Sequence, residues 1–159
     1  MLDLGRGSGI WAVTLANRGW QVAGVDFVSK ALGRARERAR EAGVEVRLIE
    51  GDVTALRATE VGSDFRFLLD FGLFHGLTDE QREAMGREVS AVAAPGATML
   101  MLAWAPARRR LLPRGASRRD IEAAYPAWKV IDEEALVGEP RAPKYVRKAE
   151  PRFYRLRRE

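Results

Sequence analysis

The sequence contains no cysteine, which excludes disulfide scaffolds, thiolate zinc sites, iron–sulfur clusters and cysteine nucleophiles. A single histidine, His75, leaves no histidine-rich metal centre, and no metal is expected. No uninterrupted run of about 18 apolar residues occurs, so no membrane-spanning helix is expected. The opening Met1-Leu2-Asp3-Leu4-Gly5 has neither the charged start nor the long apolar run of a secretory signal. A reducing cytoplasmic setting without a membrane partner is the expectation. Lysine is scarce as well: Lys30, Lys129, Lys144 and Lys148 are the only four among 27 Lys+Arg, so the positive charge is almost all arginine.

What is present describes one soluble domain over residues 1–159, with 47% hydrophobic and 31% charged residues. The net charge of +5 is unevenly placed. Residues 1–105 carry 12 Lys+Arg against 14 Asp+Glu, or −2, and residues 106–159 carry 15 against 8, or +7. The basic character belongs to the last third.

Short β-rich runs alternate with helix-period runs up to about residue 105, the pattern of an α/β fold. Residues 1–4 read as a strand that turns through Gly5-Arg6-Gly7-Ser8-Gly9 into the apolar helix Ile10 to Ala16, stopped by Gly19. Trp20 to Asp26 reads as a buried second strand. Ser29 is expected to cap a helix over 31–42, with Arg34, Glu37, Arg38 and Glu41 on its wet face. Val44, Val46 and Leu48 alternate with Glu45 and Arg47 in a third, half-exposed strand near a sheet edge. Residues 65–69 make a fourth strand closing on Asp70, Asp79 to Ala94 an amphipathic helix, and Thr98 to Ala103 a fifth strand after Pro95-Gly96. Beyond it come a Pro/Arg-rich connection, a helix near Ser117–Ala124 and strands around Trp128–Ile131 and Phe153–Leu156. These last two are expected to pair antiparallel at the sheet edge. Five strands with crossovers predict a doubly wound, mainly parallel sheet.

The first βα turn reads Asp3-Leu4-Gly5-Arg6-Gly7-Ser8-Gly9, a D-x-G-x-G-x-G pattern distinct from the dinucleotide G-x-G-x-x-G, whose third glycine would fall on Ile10. Alone it is a weak pattern, with a structural turn or another nucleotide site as the alternative reading. Glycines at this spacing let the backbone approach a ligand, and an acid at the strand end accepts from a cationic or hydroxylated group. Asp26 closes the second strand, where it can receive both hydroxyls of a ribose. Asp52 follows the third, where an adenine amino group could be read. Three acids at successive strand ends describe a pocket for a nucleoside that bears positive charge and no phosphate, and S-adenosylmethionine is that ligand.

On these residues the sequence resembles the class I S-adenosylmethionine-dependent methyltransferase family, especially its small-molecule branch of thiopurine- and tellurite-type enzymes. Asp3, Gly5, Gly7 and Gly9 match the family's first motif, Asp26 with Phe27 its ribose-binding end, and Gly51-Asp52-Val53 its adenine-contacting segment. Asp70 with Phe71, Phe74 and His75 matches the motif after the fourth strand that lines the methyl-transfer site. The resemblance implies strand order 3-2-1-4-5-7-6 with an antiparallel last strand, S-adenosylmethionine as cofactor and a small-molecule acceptor. In the same terms, residues 1–105 would bind cofactor, and residues 106–159 would form a basic acceptor-side segment with the final strand pair.

Two departures stand out. Arg6 occupies a position usually held by a small residue or cysteine, and the family carries a helix before its first strand, whereas here the first strand begins at Met1. An N-terminally shortened form is expected, with apolar surface exposed on one sheet face and a tendency to form a homodimer.

The resemblance gives His75 and Asp70 as candidate catalytic groups. His75 would act as a general base or as a pocket-wall or capping side chain. Phe71, Phe74 and Trp11 either flank the ligand or pack. Arg108 and Arg109, in the acid-free run Arg108-Arg109-Arg110, Arg114, Arg118, Arg119, would favour an anionic or π-rich acceptor, or else form a solvated connection. Nucleic acid is the less favoured partner, since no aromatic platform accompanies the arginines. Two alternatives to small-molecule methylation stay open: a non-catalytic binder of the cofactor and an RNA-directed methyltransferase.

Overall fold

Strand, glycine turn and helix follow one another from the first residues of the computed structural model, which describes residues 1–5, 7–107, 113–136 and 149–159. Strand β1 (Leu2–Leu4) leads into helix α1 (Ile10–Ala16), followed by β2 (Ala23–Asp26), α2 (Ser29–Ala42) and β3 (Arg47–Glu50). A 3-10 segment, Val53–Ala58, precedes β4 (Phe65–Phe71), and a short 3-10 turn, Phe74–Gly76, leads to α3 (Asp79–Val92). Then come β5 (Ala93–Trp104), α4 (Arg118–Ala124), β6 (Trp128–Ala135) and β7 (Pro151–Arg158).

The seven strands form one sheet in the order β3-β2-β1-β4-β5-β7-β6, as the resemblance implies. The first five are parallel, and β7 runs antiparallel between β5 and β6. Central β1 is buried along its whole length, and its register, Leu4 opposite Val25 and Asp70, brings the exits of three strands together.

The main core lies on the face carrying α3 and α4, where Leu2, Leu4, Val25 and Leu68 meet Met85, Val89 and Ile121. Each such fully buried side chain contributes roughly 1.5–3 kcal/mol relative to exposure. The other face holds a smaller cluster of Met1, Ala12, Val22 and Leu69. On that side Phe67 and Leu100 stay partly buried, while Trp11, Trp20 and Phe71 are exposed.

Several local expectations change. Ser29 does not cap α2: the cap position is Val28, whose N–H donates to the Asp26 carboxylate, and the Ser29 hydroxyl donates instead to Glu50. The second strand starts at Ala23 rather than Trp20, because the Trp20 N–H is still closing the end of α1 on the Leu15 carbonyl. The third strand starts at Arg47 rather than Val44, because the Val44 N–H still caps α2 on the Ala39 carbonyl. Helix α3 ends at Val92 rather than Ala94, since Ala93 already pairs with Phe65.

Candidate active site

The three glycines of the first turn all adopt left-handed backbone, with φ of +62°, +51° and +76° at Gly5, Gly7 and Gly9. A side chain is strained at such φ values, and Gly5 has a second constraint. A Cβ there would stand 2.8 Å from Leu73 Cδ2, so the turn after β4 packs directly on the glycine backbone.

Asp26 is 6% exposed at the end of β2, and its carboxylate organises both neighbouring turns. Oδ2 accepts from the Gly7 N–H at 2.8 Å and Oδ1 from the Val28 N–H at 2.9 Å. Each carboxylate oxygen has two lone pairs, so the pair keeps capacity for further donors. At the exit of β3, Asp52 Oδ1 accepts from the Thr54 N–H and hydroxyl at 2.8 and 2.7 Å, which turns Val53 inward.

These residues enclose a cavity of about 190 Å³ beside Gly5, whose walls include Asp26, Phe27, Asp52, Val53, Leu73 and Leu77. Phe27 is 71% exposed and gives the mouth an aromatic face. A wider hollow of about 850 Å³ lies elsewhere, lined by Met1, Trp20, Phe65 and Phe67. Among the described residues, none of the predicted site residues lines it.

The other predicted residues that the structure describes do not line this cavity. Asp3 is 1% exposed inside the sheet. Asp70 is fully buried: its carboxylate accepts from the Leu73 N–H at 2.7 Å and the Phe74 N–H at 3.1 Å, holding the turn that packs on Gly5. Burial pushes its pKa up to about 7, against the opposing pull of the Leu73, Phe74 and Gly72 N–H groups. Phe71 forms an aromatic row with Trp11 and Phe153, with centroids 5.0 and 6.1 Å away. Phe74, expected on the acceptor side, points the other way. It is fully buried in the main core, against Tyr125 at 5.7 Å, because the turn held by Asp70 directs its ring beneath the sheet's end.

His75 is 4% exposed and stacks on Trp104 at 5.0 Å. Its Nδ1 accepts from the Trp104 backbone N–H at 3.2 Å, which assigns the proton of a neutral ring to Nε2. Arg6, Arg108 and Arg109 lie outside the described residues.

The sequence reading did not single out Leu73, Leu77, Gln81 or Arg82. The first three line the cavity, and nothing local marks them. Arg82 did leave a signal. It sits on the same helical stripe as Met85, Val89 and Val92, a lone cation where the spacing calls for an apolar residue.

A family model described as a methyltransferase domain matches residues 1–96, which covers every element from β1 through α3. The chain belongs to the class I S-adenosylmethionine-dependent methyltransferase family. Demethylmenaquinone methyltransferase of Thermus thermophilus is 36% identical to this methyltransferase chain over 118 residues, covering 73% of the chain and 50% of that protein. The 2-heptyl-1-hydroxyquinolin-4(1H)-one methyltransferase of Mycobacteroides abscessus is 33% identical over 107 residues, covering 65% and 45%. The chain thus spans about half the length of the curated relatives it matches. Among solved structures, the N-methyltransferase NodS from Bradyrhizobium japonicum WM9, in complex with S-adenosyl-L-homocysteine, shares the fold with a TM-score of 0.78 at 18% identity. That match covers 99% of this chain and 76% of NodS.

The cofactor of the methyltransferase family is S-adenosylmethionine, and the residues present fit it. A buried carboxylate with spare lone pairs suits the ribose hydroxyls, and the exposed ring of Phe27 with apolar Val53, Leu73 and Leu77 suits a flat base.

Proposed function

We propose that this chain moves a methyl group from S-adenosylmethionine to a small-molecule acceptor. The observation that carries the reading is the Asp26 carboxylate, set at the cavity and bound to the Gly7 N–H across the mouth of the glycine turn. The cofactor supplies an activated methyl group on a sulfonium centre. The chain's own part is to bind, align and exclude water. Asp26 takes the ribose, Phe27 and Val53 flank the base with Asp52 at its edge, and Gly5 and Gly7 allow close backbone approach.

Alignment matters most for such a displacement, with the reacting atoms held about 3 Å apart in a dry site. The aromatic row Trp11, Phe71 and Phe153, beside the same strand ends, favours a flat, π-rich acceptor. The ring-containing acceptor named for the Mycobacteroides relative supports the same class. In this reading Asp70 and His75 shape the turn after β4 rather than exchange protons. The Asp70 carboxylate is engaged by backbone N–H groups, and the His75 Nδ1 lone pair by Trp104.

Titration calorimetry with S-adenosylmethionine and S-adenosylhomocysteine tests the first half, and methyl transfer to 2-heptyl-1-hydroxyquinolin-4(1H)-one as a probe acceptor tests the second. Absence of cofactor binding by the folded chain would overturn the reading. Binding without turnover on a broad acceptor panel would favour a non-catalytic binder. Salt-sensitive binding to RNA would favour a nucleic-acid substrate instead.

A further inference from the structure

Arg82 stands where the packing of α3 calls for an apolar side chain, and it is only 4% exposed. A buried guanidinium is costly unless its donors are satisfied. Here Nε donates to the Phe74 carbonyl at 3.2 Å, and one terminal nitrogen donates to the carbonyls of Gly115 at 2.6 Å and His75 at 3.4 Å. The Phe74 ring lies under the group at 5.0 Å, and the Asp79 carboxylate approaches to 3.5 Å from the exposed side.

Those carbonyls belong to two segments that flank the site. Phe74 and His75 lie on the turn after β4, which carries Leu73 and Leu77 into the cavity wall. Gly115 closes the excursion that leaves β5 at Trp104, for the Ala116 N–H donates to the Trp104 carbonyl at 2.8 Å. The Gly115 N–H returns to the His75 carbonyl at 3.2 Å, and the Trp104 N–H donates to His75 Nδ1. Gly115 has a φ of +83°, and a Cβ there would stand 2.3 Å from the Ala105 carbonyl oxygen, so the two ends of the excursion after β5 pack backbone against backbone.

We propose that Arg82 is a positioning residue: its single guanidinium fixes the turn after β4 against the segment after β5, and so sets the Leu73 and Leu77 wall of the cofactor cavity. The inference rests on the reading of that cavity as the cofactor site. The planar fork adds the Nε bond to Phe74 to the two bonds made by one terminal nitrogen, and a lysine ammonium, with a single nitrogen at the end of its stem, cannot occupy both donor positions.

The test uses the full chain, the variants R82K and R82M, and S-adenosylhomocysteine as probe. As the only histidine, His75 gives one set of imidazole nitrogen signals in NMR. Hydrogen exchange of the Gly115 amide reads the joint, and calorimetry reads the cavity. In R82K we expect Gly115 exchange about tenfold faster, a shifted His75 Nδ1 signal and a dissociation constant about tenfold higher, with larger changes in R82M.

Unchanged Gly115 exchange and His75 signals in a folded variant would overturn the proposal. So would a loosened joint with unchanged affinity. If neither variant folds, Arg82 is a core-stability residue and the positioning role is overturned. Failure of the wild-type chain to bind the probe would overturn the cofactor-site reading and this role with it. Gly115 exchange, which needs no ligand, separates that failure from failure of the joint.

Discussion

The Asp26 carboxylate holds the Gly7 amide: Oδ2 accepts its N–H at 2.8 Å, while Oδ1 accepts the Val28 N–H at 2.9 Å. One side chain therefore ties the glycine turn after β1 to the turn after β2, on the wall of the cavity.

Replacing Asp26 removes both this tie and the ribose acceptor. Hydrogen bonds to a charged group are worth about 1.5–3 kcal/mol each, so Asp26→Ala is expected to raise the dissociation constant for S-adenosylhomocysteine by about 100-fold. Asp26→Asn keeps one acceptor oxygen and should lose about tenfold. Calorimetry on variants shown to be folded by circular dichroism checks both values. Wild-type affinity in Asp26→Ala would place the cofactor elsewhere.

Gly86 decides how closely α3 and α4 pack. Alanine normally stabilises a helix interior by about 1 kcal/mol over glycine. At this position a Cβ would stand 1.8 Å from the Ala124 carbonyl oxygen, a backbone atom that cannot rotate aside. The clash should win, and Gly86→Ala is expected to lose about 3 kcal/mol or more in urea unfolding. Equal or greater stability would mean that the helices stand farther apart.

Asp70 gives stability an unusual pH dependence. Its pKa is pushed up to about 7 from an ordinary 3.8. Between those values the folded chain keeps a proton that the unfolded chain has released. Stability from this group therefore falls as pH rises from about 4 to 7 and levels off above, by about 4 kcal/mol in all. Asp70→Asn removes the titration. The stability difference between wild type and Asp70→Asn should shift against the wild type by about 2–3 kcal/mol from pH 5 to pH 8. A difference that stays flat over that window would show that Asp70 is ionised throughout.

His75 offers a test between proton transfer and capping. Asparagine places a carbonyl oxygen close to where Nδ1 accepts from Trp104, but cannot serve as a base near neutrality. His75→Asn is expected to keep S-adenosylhomocysteine affinity within about threefold, whereas His75→Leu leaves the Trp104 N–H unsatisfied and should lose about 1–3 kcal/mol of stability. Tenfold or greater loss of turnover in a stable, cofactor-binding His75→Asn would restore the base.

Much of this was legible along the chain because it is local. The glycine turn needs left-handed backbone at Gly5, Gly7 and Gly9, and its strand-to-helix context is written in the residues on either side. Asp26 and Asp52 were readable because the C-terminal ends of neighbouring parallel strands border one crevice, although Asp70, near the end of β4, turns inward onto its own backbone instead. Strand limits were less legible. Trp20 and Val44 are β-formers by type, yet their N–H groups are spent on closing the preceding helices. The inward turn of Phe74 was hidden too, since an aromatic residue after a strand reads the same whether it lines a pocket or a core.

By itself, the sequence determined the alternation of strands and helices, the acid and glycine set, and through them the family and its cofactor. Only the tertiary structure decided which groups share a space. It brought Leu73 against Gly5, Gly115 against Arg82 and Trp104 against His75, contacts that span from 29 to 68 residues of chain. The physical reason is one of range. Backbone conformation and strand-end position follow from a few neighbouring residues, whereas the partners of a buried guanidinium or imidazole are set by how the sheet brings distant turns together at the C-terminal ends of its central strands.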